Sequence, residues 1–355
     1  MKNSWKLSIL IPCLNERRTI RQAIESAYRA GKASGLKFEV LVADNGSTDG
    51  SIEIIRKESI ARLINVPIRG YGAALHWGTM LSKGEYVFFA DADLSYDFSE
   101  LKKFTRLIEK NHDLVLGSRL KGKIHKGSMP FLNRYIGTPF LTFLIRVMYG
   151  IKVTDCNSGM RLLKRSFYNK LHMRNSGMEW ASEILLKTAL NGGKYSEVPI
   201  NFYKDKRKTS PHLLRWADGW RHLKAIVLVK PNILFFPLAF LITVTIFLSK
   251  RSFDLTFFSA LLSGSLFLSI LAAKMLNYAI DKRESRMIKV MNKIPLVSLA
   301  ILTTLFSFFL LLFIPNKFLG TKLFIISAAV IFNIWVFLIE TIKTHLVNTL
   351  PEKIK

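Results

Sequence analysis

Apolar positions follow two regimes along the chain. In the first 230 residues, short apolar runs alternate with segments whose apolar residues recur every three or four positions; beyond residue 230 the runs lengthen severalfold. Residues 7–11, 38–43, 62–66, 86–90 and 114–116 are short, rich in β-branched and aromatic side chains and bounded by polar residues, which predicts strands. Residues 17–33, 49–58, 72–82 and 99–111 carry the helical period. This alternation predicts an α/β domain with a mostly parallel sheet, a design that binds ligands just outside the carboxyl ends of its strands. The residues following the predicted strands are polar: Asn15-Glu16, Asp44-Asn45-Gly46-Ser47, Asp91-Ala92-Asp93 and Gly117-Ser118-Arg119.

The later runs, at 233–249, 255–276, 295–314 and 323–341, each approach the roughly 20 residues needed to cross a hydrocarbon layer. They predict an α-helical transmembrane domain of four spans over 231–355, behind a first domain at 1–230. Lys282, Arg283, Arg286, Lys289 and Lys293 crowd the link 277–294, which assigns it to the cytoplasm; an even number of spans then puts both termini there, with the first domain on the cytoplasmic face of the membrane. The pair Lys250-Arg251 is a mild signal the other way. The stretch 7–14 is too short for a signal peptide and runs into Asn15-Glu16-Arg17-Arg18, so it reads as a buried strand. Two further segments suit a membrane surface. Residues 130–150 are apolar but interrupted by Arg134, Pro139 and Arg146, and 211–229 set Trp216 and Trp220 among basic residues, so both read as interfacial amphipathic helices or as amphipathic core helices.

Composition agrees: 52 Lys and Arg oppose 25 Asp and Glu, a net charge of +27, while half the residues are hydrophobic. Such a chain is neither disordered nor, with only Cys13 and Cys156, a disulfide scaffold. Charge alone suggests a nucleic-acid-binding membrane protein, but the basic residues form no recognised nucleic-acid motif and the strand ends are acidic, which argues against a nucleic-acid partner. Neither a zinc-ligand spacing nor a G-x-S-x-G elbow nor a phosphate-loop motif occurs. Asp91 and Asp93, one residue apart at a strand end, suit a hard divalent cation and the diphosphate it bridges, with Asp44 at a second strand end. Asp49 reads as a helix-start residue, and Gly70-Tyr71-Gly72 as a turn or a close approach of chains.

Taken in order, the strings Leu7 to Glu16, Ala43 to Gly50, Gly70 to Ala74, Asp91 to Ser95, Gly117 to Arg119 and Asp155 to Arg161 resemble the family-2 glycosyltransferases, whose catalytic domain has the Rossmann-like GT-A fold. The nearest branch comprises the dolichol-phosphate mannose and other polyprenyl-phosphate sugar synthases. That resemblance implies that Pro12, Asn15, Glu16, Asp44, Gly70, Asp91, Asp93 and Arg207 bind the nucleotide sugar, with Asp44 on the base. Asp91, Asp93 and Arg119 would be catalytic, Asp93 and Asp91 holding Mg²⁺ or Mn²⁺. Asp155, Ser158 and Gly159 would belong to a loop closing over donor and acceptor, Ser158 among the residues that bind the acceptor phosphate, and Glu179 and Glu183 lie either near the sugar or on a solvated helix face. Arg119 would face the acceptor phosphate, and we expect Arg134, with Thr138 one helical turn on, to approach it from a second direction. Lys204 to Lys208 read as a solvated charge run or a pyrophosphate-contacting loop. The expected reaction is inverting transfer of one sugar from a nucleotide sugar, UDP-glucose before GDP-mannose, to polyprenyl or dolichyl phosphate at a membrane. An anionic phosphate acceptor needs no dedicated general base. A processive polysaccharide synthase is the rival enzyme; its Q-x-x-R-W string has only the partial counterpart His212 to Trp216. A non-catalytic basic membrane protein is the other alternative, and a homo-oligomer is left open.

Overall fold

The computed structural model describes residues 5–207, 218–219, 221–223 and 225–226. A seven-stranded sheet of order β3-β2-β1-β4-β6-β5-β7 organises them. Strand β1 (Leu7–Cys13) pairs in parallel with β2 (Phe38–Asp44) and with β4 (Tyr86–Phe89), and β2 pairs in parallel with β3 (Arg62–Asn65). All seven residues of β1 are buried, so this strand reads as a continuous apolar run rather than an alternation. Pro12 lies beyond the last β1–β4 pair, Leu10↔Phe89, where a residue without an N–H is tolerated.

The mostly parallel sheet is interrupted at one place. Strand β6 (Arg161–Lys164) lies antiparallel between β4 and β5 (Leu114–Ser118), and β7 (Tyr195–Pro199) then adds in parallel to β5. Neither β6 nor β7 was predicted, because four residues ending in Arg and Lys, and the polar run of β7, carry no apolar alternation. Pairing with β7 also extends β5 two residues past its predicted end, to Ser118↔Pro199.

Helices α1 (Ile20–Ala33) and α4 (Leu101–Ile108) cover one sheet face, where Ile9, Ile11, Ile24, Val40, Phe88 and Phe104 share a core. On the opposite face lie α3 (Tyr71–Met80) and α7 (Trp180–Leu190), whose Trp180 meets Phe89 edge to face. In α1 the buried residues Ile20, Ala23, Ile24, Ala27 and Gly31 keep the helical spacing. The helix starts three residues later than predicted, since the Arg17 N–H is spent on Asp49 Oδ2 at 2.9 Å. Helix α2 (Ser51–Lys57) likewise starts after Asp49, whose other oxygen accepts from Ser51 N at 3.0 Å, the helix-start role expected of it.

Residues Asn133–Gly137 form a π-helical stretch that leads into α5 (Thr138–Tyr149). Thr138, Leu141, Thr142 and Ile145 face inward, while Phe131, Leu132, Tyr135, Ile136, Phe140, Phe143 and Val147 form an exposed apolar stripe. This is the amphipathic helix expected over 130–150. The described part of 211–229 is helical, with Asp218, His222, Ala225 and Ile226 buried, and His222 Nδ1 lies 2.8 Å from Ser182 Oγ on α7. Short α6 (Arg165–Tyr168) completes the fold. Among the described residues no helix is long and apolar enough to cross a membrane; the four expected spans, Trp216 and Trp220 lie outside those residues.

Candidate active site

The carboxyl ends of β1, β2 and β4 carry the expected acids, and the loops beyond them are stitched together. Asn15, in the left-handed region at φ 55° that Asn tolerates, accepts from Thr48 N at 2.8 Å, and its own N–H donates to Ser47 Oγ at 2.8 Å. Asp44 Oδ2 accepts from Gly46 N and Ser47 N at 2.9 and 3.0 Å. Its Oδ1 is buried without a hydrogen-bond partner. Such an acceptor is costly to leave unmet. Asn45 donates to Ile68 O at 2.7 Å and accepts from Gly70 N at 2.6 Å, which fixes the start of α3.

That start is a close approach of two chains. Gly70 has φ 135°, and a Cβ there would overlap the Ser176 carbonyl; one at Gly72 would crowd Trp180 Cβ and the Asn175 and Gly177 carbonyls. The 174–177 segment is held from behind by Glu183, which accepts from Arg174 N and Asn175 N, each at 2.9 Å, and pairs with Lys187 at 2.7 Å. Glu183 is thus a buried support of this loop rather than a solvated helix position. Glu179 is half-buried at the head of α7, and burial raises its carboxyl pKa.

Around β4 the acids converge on Arg207. Arg207 reaches Asp93 Oδ2 at 3.0 Å and Glu16 Oε1 at 3.2 Å, while Asp93 Oδ1 accepts from Ser95 N at 2.9 Å. The charge run at 204–208 therefore puts Arg207 into the cleft. Burial and the adjacent Asp93 push the Asp91 carboxyl up to about 7, although Tyr71 donates to its Oδ1 at 2.8 Å. Burial likewise pushes Glu16 up to about 7 against the pull of Arg207. Burial pulls the Arg207 pKa down, but Asp93 and then Glu16 outweigh it and the net shift is upward. The Nε of Arg207 is nevertheless buried without a partner.

The 155–161 loop closes against this cluster. Gly159 lies so near that a Cβ would come within 2.6 Å of Asp91 Oδ2, and its N–H donates to Tyr96 Oη at 2.7 Å. Arg161, fully buried, donates to the Ser158, Cys156 and Ala181 carbonyls and so pins the loop to α7. Arg119 meets Asp155 through Nε at 2.7 Å and Nη2 at 2.8 Å, with Phe202 covering a face of its guanidinium.

The remaining expected acceptor residues differ in burial. Ser158 is buried, its Oγ accepting from Met160 N at 3.4 Å. Thr138 is buried as well, whereas Arg134 is half-buried on the outer side with its guanidinium over the Tyr135 ring at 5.2 Å. Arg134 lies within the π-helical stretch and Thr138 opens α5 directly after it. The sequence assigns no individual role to Tyr71, Tyr96 or Glu197; Tyr71 lies within the Gly70 to Ala74 string and Tyr96 follows the Asp91 to Ser95 string, whereas Glu197 sits in the unpredicted β7.

Asp91 and Asp93 offer hard oxygen ligands, and among the described residues no cluster of three or more His, Cys, Asp or Glu is disposed to hold a metal.

Residues 8–171 match the family model of glycosyl transferase family 2. A dolichyl-phosphate hexose transferase of Haloferax volcanii is 32% identical over 226 residues, covering 63% of this chain and 93% of that protein. The chain belongs to glycosyl transferase family 2, and its α/β domain is a glycosyltransferase domain. It is also 36% identical over 230 residues to the low-salt glycan biosynthesis hexosyltransferase Agl6 of the same organism, a match covering 64% of this chain and 55% of that relative. The chain thus spans about half the length of Agl6. Glucosyl-3-phosphoglycerate synthase of Mycobacterium tuberculosis, in complex with phosphoglyceric acid, superposes with a TM-score of 0.50 at 22% identity, covering 63% of this chain and 79% of that one, a likeness of GT-A-type fold.

Proposed function

We propose that the protein transfers a single hexose, with inversion, from a nucleoside-diphosphate sugar to a polyprenyl or dolichyl phosphate at the cytoplasmic face of a membrane. The observation that carries this reading is the acidic cleft at the ends of β1, β2 and β4, crossed by Arg207 and flanked by the Arg119–Asp155 pair. The names of the Haloferax relatives, a hexosyltransferase and a dolichyl-phosphate hexose transferase, support the same chemistry.

On this reading Asp44 Oδ1 takes a base N–H. With Oδ2 already engaged by two backbone N–H groups, one oxygen suits the single ring N–H of uracil better than the N1–H and exocyclic amine of guanine, which favours a UDP-sugar over a GDP-sugar. Asp93 and Asp91 hold Mg²⁺ or Mn²⁺, which when bound offsets charge on the nucleoside diphosphate. Arg207, with its unpartnered Nε, turns to the diphosphate and stabilises it as it leaves. Arg119 orients the acceptor phosphate, whose oxygen forms a bond to the anomeric carbon while the bond from that carbon to the diphosphate breaks. The acceptor is already anionic, so no proton need be removed. The apolar stripe of 131–147 sets the cleft at the lipid surface, and Arg134 anchors there among headgroups or reaches the acceptor phosphate.

The test is incubation of the detergent-purified protein with dolichyl phosphate and a panel of nucleotide sugars, with mass analysis of the lipid. A monoglycosylated phospholipid formed from UDP-glucose is the expected product. A lengthening polysaccharide, or no lipid product from any donor, would reject the proposal.

A further inference from the structure

We infer that Glu197 is a positioning residue for acceptor capture: it holds two loops in the arrangement that lets Asp155 aim Arg119 at the acceptor phosphate. The inference rests on the proposed function, because it takes Arg119 to face that phosphate.

Glu197 lies on β7 opposite Leu116, three residues before Arg119 in the adjacent strand and the loop that follows it. Its side chain is only 2% exposed. A carboxylate at that depth is tolerated only when its oxygens are met, and here they are met four times. Oε1 accepts from Thr154 N at 2.7 Å and from Asp155 N at 3.1 Å. Oε2 accepts from Thr154 Oγ1 at 3.0 Å and pairs with Lys121 Nζ at 2.8 Å. One side chain therefore grips the residue before Asp155, Asp155 itself, and a residue two beyond Arg119. A second bond closes the ring: Thr154 Oγ1 lies 2.7 Å from Ser118 Oγ, which in turn accepts from Lys121 N at 3.1 Å.

What this ring holds is the Asp155 carboxylate. That group takes the Arg119 N–H at 3.1 Å as well as Nε and Nη2, and Asn157 N at 3.3 Å. Asp155 thus uses two of the five guanidinium donors, and Phe202 covers a face of the group, so its orientation is set before any substrate arrives. A donor edge fixed in advance spares the acceptor the entropy of ordering a long side chain. Among the described residues no hydrogen bond or ion pair joins Glu197 to Arg119 or to the Glu16, Asp93 and Arg207 cluster. Its effect should therefore reach the acceptor and leave the nucleotide sugar alone.

The experiment uses the full-length protein in neutral detergent, with UDP-glucose and dolichyl phosphate, and compares wild type with Glu197→Gln, Glu197→Ala and Lys121→Met. Glu197→Gln keeps one carbonyl oxygen for the two backbone donors but presents an NH₂ to Thr154 Oγ1 and Lys121. It should raise the KM for dolichyl phosphate about tenfold, with the KM for UDP-glucose unchanged. Glu197→Ala should lower kcat/KM for the acceptor about a hundredfold. Lys121→Met, which leaves the loop donors in place, should change it less than threefold. Amide exchange at Thr154 and Asp155, read without substrates, should quicken in both Glu197 variants.

A fall in kcat alone, matching a smaller folded fraction with both KM values unmoved, would assign Glu197 to stability and overturn the inference; so would unchanged exchange at those two amides. Absence of transfer by wild type in the same assay would instead reject the reading of the site.

Discussion

The two halves of the cleft treat charge in opposite ways. On the donor side, at the ends of β1, β2 and β4, Asp91 and Glu16 sit with carboxyls pushed up to about 7, Asp44 keeps an unmet buried oxygen, and Arg207 stands between acids with an unmet nitrogen. On the acceptor side, at the end of β5, each charge already has its partner: Arg119 with Asp155, and Glu197 with Lys121. The first half is an acidic surface that is unfavourable until a cation and an anion arrive together. The second is a set of donors neutralised and aimed in advance. A ligand should therefore change the electrostatics of the donor half strongly and those of the acceptor half little.

The largest effect that would break this contrast is at Asp93. Asp93→Ala removes a cation ligand and frees Arg207, and should lower kcat by about a thousandfold or more in steady-state assays of sugar transfer. An Asp93→Ala enzyme of near-normal kcat would mean that the cleft acids are not the donor machinery. Next comes Arg119→Ala, expected to cost about a hundredfold in kcat/KM for dolichyl phosphate while calorimetric UDP affinity stays the same. Because it leaves Asp155 buried without its cation, the same change should destabilise the fold by about 3 kcal/mol in denaturant titrations. Gly70→Ala, forced into a φ of 135° against the Ser176 carbonyl, should cost about 2–3 kcal/mol and weaken donor binding through α3.

A smaller effect separates the halves by pH. The folded-state pKa of Asp91, about 7, lies above its ordinary value of 3.8, so the folded protein keeps a proton that the unfolded chain has lost. This group therefore opposes folding increasingly as pH rises from 4 to 7, and unfolding midpoints of the unliganded protein should fall across that window. Since a cation-bearing nucleotide meets the ionised carboxylate, its affinity should rise about tenfold from pH 6 to pH 8. The acceptor KM should move far less over the same range.

The same division governs what could be read from the sequence. The donor half is made of consecutive strand–helix units, each with an apolar strand that ends in an acid or amide, so Asp44, Asp91 and Asp93 were legible from periodicity and position. Asp49 was legible for the same reason, as a residue at the head of a helix. The acceptor half comes from distant pieces: β6 inserted antiparallel and a polar β7. Those features arise from pairing between residues far apart in sequence and leave no local period. Glu197 and Glu183 illustrate the point, since each is an ordinary surface-type residue made structural only by the backbone N–H groups that long-range folding brings to it.

The most direct measurement of the donor half's missing charge is calorimetric titration of UDP into the protein at pH 6.5, with Mg²⁺ and with chelator, in buffers of different ionisation enthalpy. Binding that requires Mg²⁺ and releases about one proton is the outcome this account expects, because Asp91 gives up its proton as the cation arrives. Equal affinity in chelator, with no proton released, would contradict it.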